Sequence, residues 1–302
     1  MTEEAKRNRT IWTVLIVTGV IVVIAAGLAG WRVMSGRLES ARKLDTTIVL
    51  VESADKTVIA VDKVVRSEVT SAVGQDARTL APTISTATRQ LEDAVTLIDE
   101  AYPKLNNAER HKADLLRTTA KAKLAMLEQA PLILAANVKV AESQPLAEQA
   151  WAQTTAADKL ADEAVASYNK LTKAGAQTSA VKNAEAEKTF QSARDLFSRA
   201  ATAFPEAGMD RYVAYVEQKL AQIAISRKSD AAYLAGQLAQ ANSYIAAYNA
   251  ADAKGIAMVK ALPATPMLAI ADAYKRVADT ATDTYFKARD KASAADQSLQ
   301  SM

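Results

Sequence analysis

Hydrophobic positions follow two patterns along this chain. From Ile11 to Trp31 no residue is charged and apolar side chains occupy nearly every position. Beyond Arg32 they recur every three or four places among polar ones. A helix needs roughly 20 apolar residues to cross a hydrocarbon layer of about 30 Å. A secretory signal has a shorter apolar core and a small-x-small cleavage site. The first pattern has the greater length, and its best cleavage candidate, Gly27-Leu28-Ala29, is a poor one. Trp12 and Trp31 stand nineteen positions apart, close to 28 Å at about 1.5 Å per residue. Indole rings favour the headgroup level, and Arg32 can snorkel to it. The expectation is an uncleaved transmembrane anchor over residues 11–32, in contact with membrane lipid, behind a short basic tail of residues 1–10.

Orientation rests on a near balance. Lys6, Arg7 and Arg9 lie on one flank, and Arg32, Arg37, Arg42 and Lys43 on the other. A short basic tail ahead of a first span usually stays inside, and long domains cross regardless of charge. The C-terminal domain is therefore expected to be extracytoplasmic, with the cytoplasmic side as the alternative. Asn8-Arg9-Thr10 matches a glycosylation sequon, but in this arrangement it stays in the cytoplasm.

The second pattern has the helical period. Leu44, Ile48, Val51, Val58, Val61, Val65, Val69 and Ala72 form one stripe. Within it, Thr46–Val51 is β-branched enough for a strand, but no second strand is in sight to pair with it, so helix is expected. Gly36 and Gly74 are the helix-weakeners here. Pro82 suits a first helical turn; Ile84, Leu91, Val95, Ile98 and Tyr102 follow it, and Pro103 stops the element. A third helix is expected from about Asn106 to Pro131 and a fourth around 132–142, interrupted by Ser143-Gln144-Pro145. Leu146, Leu160, Ala164, Tyr168 and Leu171 then lead to Gly175, read as a C-cap.

In the second half Phe190, Phe197 and Phe204 are spaced by sevens, with Ala193 and Ala200 between them. That alternation of large and small suits close antiparallel helices. Pro205 and Gly208 break the chain, and Val213, Val216, Leu220 and Ile223 form the next stripe. Ser229-Asp230 reads as a cap before Leu234, Leu238, Ala241, Ile245 and Tyr248. Gly255 reads as a bend or split, and Pro263 and Pro266 precede a last helix carrying Met267, Ile270, Tyr274, Val277 and Ala288. About eight or nine amphipathic helices of roughly 15–30 residues result, an all-α domain in two regions, 33–175 and the more aromatic 176–302.

The stretch Ala193–Ala207 resembles the second helix of a tetratricopeptide hairpin, with Ala200, Phe204 and Ala207 at that motif's spacing. The upstream Trp and Leu-Gly positions are unmatched and no 34-residue period holds. The resemblance implies stacked antiparallel hairpins, tetratricopeptide-like or closed into a bundle.

Composition narrows the function. With 37 basic and 34 acidic residues the net charge is +3, and without the tail 34 face 32. Nucleic-acid binding would need a clustered basic excess. The absence of cysteine excludes disulfides, thiolate metal sites and cysteine nucleophiles. Nine glycines, three of them in the anchor, are too few for a turn-rich sandwich or barrel.

Candidate chemistry is sparse. His111 is the single histidine, so a transition-metal site would fall almost wholly to carboxylates; a solvated helical histidine is the expectation. Ser53-Ala-Asp-Lys56, Ser167-Tyr-Asn169 and Lys173-Ala-Gly175 imitate the three motifs of penicillin-recognising serine enzymes. That site, however, needs a strand for its third motif. Glu92-Asp93 and Asp99-Glu100 read as solvated helix surface, and no Gly-rich phosphate loop occurs. The phenylalanine stripe reads as core. Tyr212, Tyr215, Tyr233, Tyr244 and Tyr248 crowd one region, where half-exposed aromatics are what protein-binding surfaces favour.

The expected function is a non-catalytic, single-pass scaffold or protein-interaction module of a bacterial envelope, with Trp12, Trp31 and Arg32 at the membrane interfaces. No cofactor, metal or nucleic acid is expected; a protein partner is. The alternative is a sensory or coupling ectodomain acting on a membrane partner through the membrane-proximal helix. A third reading, an envelope serine enzyme, lacks a catalytic constellation.

Overall fold

The computed structural model describes residues 35–302. The anchor assigned to 11–32, with Trp12, Trp31 and Arg32, lies outside the described residues. Seven α-helices follow: α1 (Ser35–Arg66), α2 (Ser71–Ala101), α3 (Asn107–Tyr168), α4 (Lys173–Ala203), α5 (Asp210–Leu234), α6 (Leu238–Lys260) and α7 (Pro266–Gln300). Short 3-10 turns, Tyr102–Lys104 and Pro205–Ala207, sit at the expected breaks. The protein is all-α, with no strand among the described residues. The β-branched run 46–51 lies inside α1.

Several expected boundaries are wrong, and the longest helix shows why. α3 runs for 62 residues through Pro131 and Pro145, replacing three shorter elements, and Pro82 is interior to α2. An interior proline removes one hydrogen bond and crowds the preceding turn. All three prolines are exposed, so water can take up the freed carbonyls. Alternating buried positions such as Ala130, Ile133, Leu134, Ala147 and Ala150 keep each helix packed through the defect. Gly255 likewise lies within α6, and Ser229-Asp230 is interior to α5 and not a cap. Gly175 does not end a helix either. α3 stops at Tyr168, and Gly175 lies in the first turn of α4, donating its N–H to the Thr172 side chain at 3.0 Å. A Cβ there would come within 2.5 Å of the Ser167 carbonyl oxygen. The start near Asn106 holds: Glu109 N–H donates to Asn106 Oδ1 and Asn106 N–H to Glu109 Oε2, each at 2.9 Å, a reciprocal capping box.

The described chain forms two compact units, and the division falls within helices: 35–55, 87–124 and 290–302 in one, 56–86 and 125–289 in the other. The first unit has a small core of Leu44, Ile98, Ala101, Leu105, Ala113 and Leu116. The second has a larger one centred on Phe190, Phe197, Phe204, Met209 and Tyr212. Contacts show consecutive helices doubling back. In the first unit Lys43 meets Glu100, and Ser53 meets Gln90. In the second, Ser143 meets Ala200, Asn183 meets Asp230, and Gln222 meets Asp252. The phenylalanine stripe is core as expected, with all three rings fully buried.

Among the described residues one helix, α3, is long and apolar enough to cross a membrane. Its most apolar window is 44% buried inside the fold, where Leu127, Ile133 and Leu134 are core side chains.

Candidate functional site: a tyrosine groove on α3, α5 and α6

In the second unit the end of α3 lies beside α5 and α6 and leaves a groove of about 240 Å³. Val165 and Ile245 supply apolar wall; Tyr168, Asn169, Ser226, Ser229, Tyr248 and Asn249 supply hydroxyls and amides. No charged side chain lines it. Ser229 Oγ lies 3.0 Å from the Tyr168 hydroxyl and 3.3 Å from the Ala241 carbonyl oxygen, joining the three helices at one point.

The groove rests on a buried polar base. Asn183 Nδ2 donates to Asp230 Oδ2 at 2.8 Å and to Ser226 Oγ at 2.9 Å. Asp230 is 1% exposed. Burial pushes its carboxyl above the usual range, against the opposing pull of Ser179, Asn183 and Arg227. The polar seam continues along α5. Gln222 Nε2 donates to Asp252 at 2.9 Å, and Lys219 pairs with Asp158 at 2.8 Å. The Asp158 carboxyl is raised by burial, with Lys219 working against the shift. Burial, then the Asp252 charge, lifts the Tyr248 phenol to about 12. The Tyr248 hydroxyl therefore stays a neutral hydrogen-bonding group at any physiological pH.

The five expected tyrosines do not share one surface. Tyr212 is wholly buried, stacked on Phe197 with ring centroids 5.3 Å apart, and its hydroxyl donates to the Pro263 carbonyl at 3.0 Å. Tyr215 is 6% exposed and belongs to the same core. Both are core side chains of α5, Tyr212 stacked on α4 and Tyr215 close to Asp158 of α3, and the 3.6-residue period alone does not distinguish them from its flank. Tyr233 is half-buried; its ring meets Tyr168 edge-on at 5.6 Å, and its hydroxyl donates to the Leu171 carbonyl. Tyr244 is half-buried and accepts from Gln240 at 3.3 Å. Tyr248 alone of the five lines the groove.

Sequence reasoning placed Tyr168 in a core stripe and Ser229 in a cap, so both were missed as groove residues. The usable signal is a run of polar side chains, Gln222, Ser226 and Ser229-Asp230, at core-facing spacing on α5. The remaining candidates sit on helices. His111 is exposed on α3. Ser53 Oγ accepts from Gln90 at 3.0 Å, and Lys173 opens a helix instead of a strand. Asp99 and Glu100 pair with Arg117 and Lys43. No group of three His, Asp or Glu side chains among the described residues is placed to hold a metal ion.

The first unit has a pocket of its own, about 280 Å³, around Lys123. That nearly buried ammonium lies 2.7 Å from Asp55 and 3.0 Å from Asp296, and Thr119 donates to Asp296 at 3.1 Å. One lysine there ties α1 and α7 to α3.

The chain matches no protein-family model, no curated protein and no solved structure.

Proposed function

We propose that this chain is a non-catalytic, single-pass interaction module of the cell envelope. Residues 11–32 anchor it, its helical hairpins lie outside the cytoplasm, and the α3–α5–α6 groove seats a protein partner. The observation that carries this reading is the lining of the groove, aromatic, hydroxyl and amide groups over an apolar wall with no charge. Recognition sites have this composition: apolar surface for affinity and a few polar groups for orientation, with tyrosine enriched and charge depleted at the centre. The 21-residue uncharged stretch ahead of the described helices supports the anchor.

Photocrosslinkers at Asn169 and Asn249 test the groove, with exposed Ser192 on α4 as control. One discrete adduct is expected from both groove positions and none from the control, and Tyr248→Ala should abolish it. Truncating a hot-spot aromatic costs about 2 kcal/mol or more of binding. Equal adducts from all three positions would sink the groove as the seat. Retention in membranes after carbonate washing, with an intact N-terminus, tests the anchor separately.

A coupling ectodomain is the second reading, favoured by α1, which is continuous from Ser35 to Arg66 and follows the anchor in the chain. A two-residue insertion near Gly36 should abolish signalling in a coupler and spare capture in a scaffold.

A further inference from the structure

The groove opens beside two helix turns of the second unit, and these turns differ from the rest of its surface. They meet where the Tyr233 hydroxyl, on the last turn of α5, donates to the carbonyl of Leu171 in the α3–α4 turn. Leu171 has φ +52°, and among the described residues it is the one non-glycine with positive φ. A β-carbon is disfavoured in that region, and the position just past a helix end is usually glycine or asparagine. The neighbouring α5–α6 turn follows the rule, with Gly236 at φ +76°. Leu171 also buries little for the fold: it is 65% exposed, and Leu238 beyond Gly236 is 58% exposed. A strained, exposed leucine held by a tyrosine serves no packing purpose, and such strain persists mainly where it has a use.

Charge around these turns has one sign. No carboxylate occurs from Ala164 to Ala184, and from Gln218 to Ala251 the only one is Asp230, which is buried. Lys182, Arg227 and Lys219 in these stretches pair with Glu163, Glu187 and Asp158. Lys170, Lys173 and Lys228 are exposed and have no ion-pair partner among the described residues. Lys170 and Lys173 bracket Leu171 directly.

We propose that this end of the second unit is a membrane-contact site that takes an anionic lipid surface. Leu171 and Leu238 enter the headgroup layer while Lys170 and Lys173 meet lipid phosphates. An exposed apolar side chain between cations fits a fluid anionic interface. A folded partner's fixed surface would call for a complementary recess. The site lies beyond the protein-binding groove and the anchor, and it does not depend on either.

The full chain, held in phosphatidylcholine nanodiscs, is mixed with separate sucrose-loaded vesicles of phosphatidylcholine alone or with phosphatidylglycerol. Disc retention is scored first, so a failed anchor and a failed contact site are told apart. Protein should pellet with the phosphatidylglycerol vesicles only, and less so as salt rises. Replacing Lys170 and Lys173 with Gln should raise the lipid needed by roughly 25-fold, at about fivefold per lysine. Leu171→Asn should weaken pelleting with the melting temperature held or raised, because Asn tolerates positive φ. Four results would overturn the proposal: equal pelleting with both vesicles; pelleting with neither; a Leu171→Asn variant that binds normally; or retention on poly-glutamate beads without vesicle binding, which would reassign the site to an acidic protein segment.

Discussion

The two faces of α5 are built differently. Towards α4 it meets a helix with ten buried residues, Phe190, Phe197 and Leu196 among them, and the stacked Phe197–Tyr212 pair joins the two. Towards α6 it meets a helix in which only Ala241 and Gly255 are buried. There the joins are polar: Gln218 to the Ala251 carbonyl at 3.0 Å, Gln222 to Asp252, and Ser229 near the Ala241 carbonyl. Apolar burial stabilises by roughly 25 cal/mol per Å², whereas a net hydrogen bond adds only about 0.5–1.5 kcal/mol. The α4 face therefore holds the unit together. The α6 face buries less apolar surface, Met258 and Val259 among its side chains packed on the core, and leaves a groove beside it, and local opening is expected first at such a less buried end.

The largest effect should come from breaking the strong face. Phe197→Ala removes a fully buried ring and should cost about 3–5 kcal/mol, read as a cooperative loss in denaturant unfolding. A cost below about 1 kcal/mol would show that the face is not the core described. Tyr212→Phe keeps the ring and removes only the bond to Pro263, leaving a carbonyl unpaired, and should cost about 1–3 kcal/mol. Native-state hydrogen exchange sharpens the same contrast. Amides of α6 should exchange through local openings of lower free energy than those of α4, by at least roughly 1 kcal/mol. Equal protection would mean that the polar seam is as strong as the aromatic one.

The strong face was legible in the sequence, and the weak one was not. Phe190, Phe197 and Phe204 at spacings of seven, with alanines between, state a buried stripe without help from tertiary structure. The groove depends on polar residues at core-facing positions, Asn183, Ser226 and Asp230, each satisfied by a residue more than forty positions away. Local pattern sees such a serine or aspartate as a cap or a turn. Boundaries failed for a related reason. Pro131 and Pro145 are true helix-breaking signals locally, and only packing on both sides of each defect overrides them. The tyrosines show the limit of periodicity: Tyr215 and Tyr248 read alike, but one is buried in the core and the other lines the groove. Of the anchor, sequence remains the sole source.

A smaller effect separates the two turns at the groove end. Leu171→Gly relieves a positive φ and should stabilise the protein by about 0.5–1 kcal/mol, the strain relieved outweighing the entropy that glycine adds to the unfolded chain. Gly236→Leu imposes the same strain, in a spot where nothing crowds a β-carbon, and should cost about 1–2 kcal/mol. If both substitutions destabilise, Leu171 has a packing role and its exposure misleads.

The smallest effect is a dependence on pH at the base of the groove. Burial raises the Asp230 carboxyl pKa in the folded state above its unfolded value, so the folded protein holds this proton more tightly. Between the ordinary carboxylate range and the raised value the native state binds more proton, and stability falls as pH rises through that window. Above the window the full penalty remains; below the ordinary range it is absent. Asp230→Asn removes the titration and can still accept from Asn183 through its own amide oxygen. The variant should therefore melt above the wild type at neutral pH, and the gap should close as pH falls through the carboxylate range. Asp158, also raised by burial, is present in both proteins and cancels in the difference. A gap that stays constant with pH would mean that folding leaves this carboxyl unshifted, and one that widens towards acid would mean that Asp230 is stabilised as a carboxylate by Asn183, Ser179 and Arg227. The base of the groove would then be a charged site and not a neutral one.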